Sequence, residues 1–236
     1  MEYKKIAFFV EGYTEQEFVR KLLIEIFGSK RIAIEISKIK GGKTIPICHT
    51  ILESAITTDE TLYYILIYDC SGDGSIKSYI LEHRDNLIKA GYLKVIGLRD
   101  IYPDFAREDI FELKKGMYGN LPQKNLPIKF VISIMEIESW FLADENHYEK
   151  IDSVLSLDYL KQHFNFDPST EDTQLIDEAA NFLKKIYTNV GTTYVKEKAS
   201  IDRTINALDF SNVYFVVGDR IDSLKKLIDE FEEVLL

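Results

Sequence analysis

The chain has 236 residues, 46% of them hydrophobic, which suits one large α/β domain or two small ones and argues against disorder. Lys plus Arg number 29 against 39 Asp plus Glu, and the net charge of −10 argues against a protein that grips nucleic acid by bulk electrostatics. The two cysteines, Cys48 and Cys70, lack ligand-like spacing and read as reduced packing thiols of a cytoplasmic protein, and no segment has the pattern of a signal peptide or a membrane span.

The first predicted element is a strand, Lys5 to Val10, whose run "IAFFV" ends on Glu11 and then Gly12. A carboxylate at the edge of an apolar core has to be solvated, hydrogen-bonded or bound to a cation, and Gly12 leaves room for close backbone approach. A helix follows from Thr14 to Phe27, with Thr14 and Glu17 spaced as a capping box and Gly28 as its stop. A second strand, Ile32 to Ile39, leads to "KGGKT" and a helical pattern over Thr44 to Thr57. A third strand, Leu62 to Tyr68, ends on Asp69 in "YDCSGDG", which also holds Asp73. A helix at Ile76 to Ala90, a strand at Leu93 to Leu98 running into Arg99 and Asp100, a weaker helix at Asp104 to Lys115 and a strand at Ile128 to Ile134 complete the series. Near-continuous apolar strands such as "YYILIY" and "FVISI" predict a mostly parallel central sheet flanked by helices.

Beyond Trp140 the pattern becomes helical with polar connections over residues 145 to 209. One more strand is predicted at "VYFVV", Val213 to Val217, and an amphipathic helix at Ile221 to Leu235 closes the chain. The expected organisation is an α/β core over residues 1–145 and a mainly helical C-terminal region over 146–236.

In a parallel sheet the carboxyl ends of the strands form one rim, where ligands bind. Glu11, Asp69 with Asp73, Asp100, and Glu136 with Glu138 all follow predicted strands. Acids gathered on one rim repel one another unless Mg²⁺, Mn²⁺ or nearby Arg and Lys offset their charge. Taken singly, each acid also has an ordinary use as a helix cap or a loop solvator, and "SGDG" is turn chemistry in its own right. "KGGKT" lacks the full phosphate-binding loop, because Ser37 stands where the first glycine belongs. Gly41, Gly42 and Lys43 at a helix start could still hold one phosphate, although a flexible turn with a solvated lysine accounts for them more simply.

"FFVEGYTEQEFVRKLL", the GK that follows, the acid-ending third strand and "EIESWFLAD" together resemble the TOPRIM fold shared by topoisomerases, primases and overcoming-lysogenization-defect nucleases. The resemblance covers about residues 4 to 145. It is closest to a TOPRIM-like prokaryotic domain of unknown function, often encoded beside ABC-type ATPases in defence-related loci. It implies a metal-dependent nuclease with Glu11 in acid/base work or metal binding. The usual Asp-x-Asp falls on Asp69-Cys70-Ser71, so Asp73 or Asp100 would supply the second acid. Metal ligands would come from Glu11, Asp69, Asp73, Asp100 and Glu138. Lys43 and Arg99 would neutralise charge at the reacting phosphate, Glu136, Glu138, Trp140 and Asp144 would match the fifth-strand motif, and nucleic acid would be engaged with an ABC-type ATPase partner. The alternative expectation is a non-catalytic subunit whose acid rim binds a metal or a basic partner.

Overall fold

The computed structural model describes residues 3–41 and 46–236. Six strands form one sheet: β1 (Lys4–Val10), β2 (Ile32–Lys40), β3 (Cys48–Glu53), β4 (Tyr63–Asp69), β5 (Lys94–Asp100) and β6 (Ile128–Ser133), in the order β3-β2-β4-β1-β5-β6. The sheet is mostly parallel, as the alternating pattern predicts. β1 pairs in parallel with β4 and β5, β2 pairs in parallel with β4, and β2 with β3 is the antiparallel pair. Helices α1 (Tyr13–Phe27), α2 (Ile76–Lys89) and α3 (Ile110–Tyr118) lie between consecutive parallel strands. Ile6 to Val10, in the strand flanked on both sides, are wholly inaccessible to solvent. A strand that packs on both faces has no use for polar alternation.

Three local expectations are corrected. Helix α1 begins one residue early: the backbone carbonyl of Gly12 accepts from Gln16 N–H at 3.1 Å, and the Glu15 carboxylate accepts from Gly12 N–H at 2.9 Å. Thr14 therefore lies buried inside the first turn, and Glu17 pairs with Arg20 at 3.4 Å instead of capping. Gly12 sits in extended backbone (φ −163°), where an added Cβ would make only ordinary contact with Glu15, so close approach is not what selects it. Second, part of the predicted Thr44 to Thr57 helix is strand β3, in register from Lys40 opposite Cys48 to Ile36 opposite Glu53. Pro46 and the β-branched Ile47, Thr50 and Ile51 favour the extended form. Third, Val213 to Val217 is a helical π turn continuing the helix Phe210–Asn212, with Val213 and Val217 buried four residues apart and Phe215 exposed. Asp209 caps the run, its carboxylate accepting from Asn212 N–H at 3.1 Å, and helical periodicity governs these five residues.

The chain divides into two compact units. The first comprises Met1–Arg99, Glu108–Ile132 and Leu227–Leu236; the second comprises Asp100–Arg107 and Ser133–Lys226. In the first, the α1 residues Phe18, Val19, Leu22 and Leu23 make a buried stripe, each large side chain contributing about 1.5–3 kcal/mol. Phe27 meets Tyr63 at 4.8 Å and Phe231 of the closing helix (Asp222–Leu235) at 6.1 Å between centroids. The ammonium of Lys94, on the buried strand β5, donates to the backbone carbonyl of Glu230 at 2.8 Å and pairs with its carboxylate at 3.0 Å.

The second unit is helical: α4 (Glu138–Leu142), α5 (Tyr148–Ile151), α6 (Leu157–Phe164), α7 (Ala179–Thr188), α8 (Lys198–Ala207) and the run over residues 210–226. Its core is aromatic, with Trp140, Tyr148, Tyr187 and Tyr194 almost inaccessible. Two of the polar tips find partners inside. Trp140 Nε1–H donates to Ser223 Oγ at 2.8 Å, and Tyr148 Oη–H donates to the carbonyl of Leu142 at 2.9 Å. Among the described residues no helix is long and apolar enough to cross a membrane.

Candidate functional site

In the first unit, the carboxyl edge of the sheet brings together the ends of β1, β4 and β2. The register sets Val10 opposite Asp69 and Lys38 opposite Asp69, so Glu11 lies one residue beyond the level of Asp69 on the neighbouring strand. Backbone bonds lace these ends: Cys70 N–H donates to the carbonyl of Val10 and Gly72 N–H to the carbonyl of Glu11, both at 2.9 Å. Ser71, held at φ 55°, donates its hydroxyl to the carbonyl of Ile39 at 2.9 Å. Asp69 is 1% exposed; one of its oxygens takes the Lys38 ammonium and the other accepts from Ser71 N–H at 2.8 Å. That second bond is an Asx-type turn, which fixes the carboxylate in place.

Glu11 is half-buried, and Asp73 begins a 3₁₀ turn, its side chain lying outside the described ones. Gly42 and Lys43 of the expected phosphate loop also lie outside the described residues. Gly41 lies within them and has to be glycine. Its φ is +107°, and a Cβ there would come within 2.3 Å of the Pro46 carbonyl oxygen. Arg99 is buried near the end of β5. Burial pushes the Cys70 thiol far up, so it is a packing group and not a nucleophile.

Asp100 closes β5 but belongs to the second unit. It is 1% exposed, and one of its oxygens accepts from the Ser133 hydroxyl and from Ile137 N–H at 3.0 Å, fixing the start of the "EIESW" segment. Within the same unit Lys196 reaches both glutamates of that motif, 3.3 Å from Glu136 and 3.7 Å from Glu138. The other oxygen of Glu136 accepts from Ala180 N–H at 2.9 Å, at the start of α7, where a carboxylate meets the positive end of the helix. Glu138 is wholly buried: Oε1 accepts from Tyr194 Oη–H at 2.6 Å, and Oε2 has no hydrogen-bond partner among the described residues. Burial pushes its carboxyl well up, against the pull of the Lys196 ammonium. Tyr194, Lys196 and Glu136 line a cleft of about 420 Å³ with Tyr102, Asn181 and Lys184.

Trp140 is sealed and serves packing. Asp144 organises the backbone, its carboxylate accepting from Asp209 N–H and from Asn212 Nδ2–H, both at 2.8 Å. Three polar partners escape sequence reasoning. Lys38 lies within β2, and Tyr194 and Lys196 lie 56 and 60 residues downstream of Glu138 and Glu136 respectively. Only the spacing of Ser71 from Asp69 carried a local signal, the Asx turn. Among the described residues no three His, Cys, Asp or Glu side chains converge as a ready-made metal cluster. Compared with known proteins, the chain matches no family profile, no curated protein and no solved structure.

Proposed function

We propose that the chain is a TOPRIM-like, divalent-cation-dependent subunit that cleaves phosphodiesters in the cytoplasm, working with a partner such as an ABC-type ATPase that supplies the basic surface for nucleic acid. One observation carries this reading. Neighbouring parallel strands end in Glu11 and Asp69 at the carboxyl edge of the sheet, and Asp69 is a nearly inaccessible carboxylate already compensated by a cation, the Lys38 ammonium.

The donor set suits Mg²⁺ or Mn²⁺: carboxylate oxygens are hard ligands, and a carboxylate with two hydrogen bonds has acceptor capacity left. Glu11 and Asp69 would hold the ion, which when bound polarises a phosphodiester and lowers the pKa of a water. Ser71 N–H orients Asp69 by its 2.8 Å bond. Lys38, displaced from Asp69, would be placed to offset negative charge on a phosphate. The chain's own charge of −10 supports a partner-supplied grip on nucleic acid.

A specific observation favours the second reading, a non-catalytic interaction subunit. Asp69 and Asp100 each already accept from a side chain and a backbone N–H, as structural acids do. The test is cleavage of plasmid and single-stranded DNA with Mg²⁺ and Mn²⁺, with and without a neighbouring ATPase. The expected result is metal-dependent nicking abolished by Glu11→Gln. Absence of cleavage under every condition, or cleavage unaffected by Glu11→Gln, rejects the nuclease reading.

A further inference from the structure

The two ends of the sheet are treated very differently. β6, at one end, is buried at five of its six residues, whereas every residue of β3, at the other, is exposed. Among the described residues β3 pairs with β2 alone, so its outer row of N–H and C=O groups is open to another strand. Soluble proteins protect such an edge with Lys, with Pro inside the strand, or by covering it. Here Ile47 to Leu52 contains no Asp, Glu, Lys or Arg, in a chain in which those residues make up 29%. The only acidic residue of β3, Glu53, is answered within the same unit by Arg20 at 3.4 Å.

Both faces of this edge also carry exposed apolar side chains. Ile47, Ile51, Leu52 and Ile56 are 43, 62, 54 and 81% exposed. Ile56 and Glu53 border a groove of about 260 Å³ whose wall includes Ile24, Ile32 and Ile34.

We propose that β3 pairs antiparallel with β3 of a second copy of this chain, joining the two sheets edge to edge. A twofold axis makes edge pairing antiparallel of necessity, and it sets the same uncharged strand on both sides. No Asp, Glu, Lys or Arg of Ile47 to Leu52 is then desolvated, and apolar side chains of both edges leave water together. The β2–β3 register shifts between Ile36 and Ser37, opposite Ile51 and Glu53, which leaves Leu52 as an extra residue and Cys48 to Ile51 as the regular stretch. Opposed residues of an antiparallel pair share a face, so a twofold axis at His49 sets Ile47 opposite Ile51 and Cys48, an exposed free thiol, opposite Thr50 of the second copy.

The experiment combines sedimentation of the full chain with thiol crosslinking. The wild type is expected to be dimeric at about 10–100 μM, a range that suits a modest interface. Ile51→Lys should shift it to monomer, weakening association at least about 100-fold by placing lysines in the joined edge. Its circular dichroism should be unchanged, since Ile51 is exposed. Thr50→Cys should crosslink to the native Cys48 of the second copy on mild oxidation, giving a product of twice the chain's mass, and adding Cys48→Ser should abolish it. The doubled mass separates this product from a bond formed inside one chain. The crosslink does not depend on the lysine variant folding. A chain that stays monomeric to about 100 μM, a dimer that withstands Ile51→Lys, or a dimer without the Cys48-dependent crosslink overturns the proposal.

Discussion

Lys38→Met is the perturbation that separates a structural role of Asp69 from a ligand role. Asp69 is 1% exposed and the Lys38 side chain 28%, so the pair is largely, but not wholly, withdrawn from water. Removing one partner of a buried pair costs about 3–5 kcal/mol, because the remaining charge is left uncompensated. Allowing for the partial exposure of Lys38, about 2–4 kcal/mol is expected here. For a protein of this size each kcal/mol moves Tm by about 2–4 °C, so Lys38→Met should melt about 5–15 °C below the wild type. Adding Asp69→Asn should restore most of the loss, since the amide keeps the acceptor for Ser71 N–H and carries no charge. Mg²⁺ or Mn²⁺ should then raise the Tm of Lys38→Met more than that of the wild type, because the ion no longer competes with an ammonium. At about 100 times its Kd a ligand adds about 2.7 kcal/mol. The assay is thermal melting of the three proteins with and without metal. If Lys38→Met melts within about 1 °C of the wild type, the pair does not stabilise the rim. If the single mutant and the wild type respond equally to metal, Asp69 is not a ligand.

Three further outcomes follow from the geometry. Glu15→Ala removes the acceptor for Gly12 N–H and should cost about 0.5–2 kcal/mol in urea unfolding, while Glu17→Ala, at the position that does not cap, should cost less than about 0.5 kcal/mol. His147 donates from Nδ1 to the carbonyl of Asp144 at 2.7 Å, and burial lowers its pKa to about 4 from an ordinary 6.5. The unfolded chain then binds the extra proton first. Stability is therefore full above about pH 6.5 and is lost as the pH falls to about 4, by up to about 3 kcal/mol, a slope that His147→Asn should flatten in denaturation curves taken across that range. Glu138 has the opposite sense: its carboxyl is raised by burial, so the stability it contributes is complete below its unfolded value and declines as the pH rises through the folded one. Glu138→Gln keeps the acceptor for Tyr194 and removes the charge. Its stability should therefore gain on the wild type as the pH is raised from 4 to 8, and a wild type that gains instead would contradict the burial argument.

Features that depend on near neighbours along the chain are legible in the residues alone. Five of the six strands lie within a residue or two of their predicted ends, because an apolar run between turn residues is a local signal, and Phe8 or Ile65 reads as buried without knowledge of its neighbours. The parallel arrangement followed from the alternation of strands and helices, and the common edge of Glu11 and Asp69 followed from the parallel arrangement. Tertiary structure decided what local preference leaves balanced. Cys48 to Glu53 had a helical pattern, and pairing with β2 made it a strand. Val213 to Val217 had strand propensity, yet burial at four-residue spacing and the Asp209 cap made it helical. The charge partners were less legible still. Lys38 meets Asp69 only because β2 lies beside β4, and Lys196 meets Glu136 only because the second unit folds back on itself. A charge interacts through space with whatever the fold brings within a few ångströms, and sequence separation carries no information about that distance.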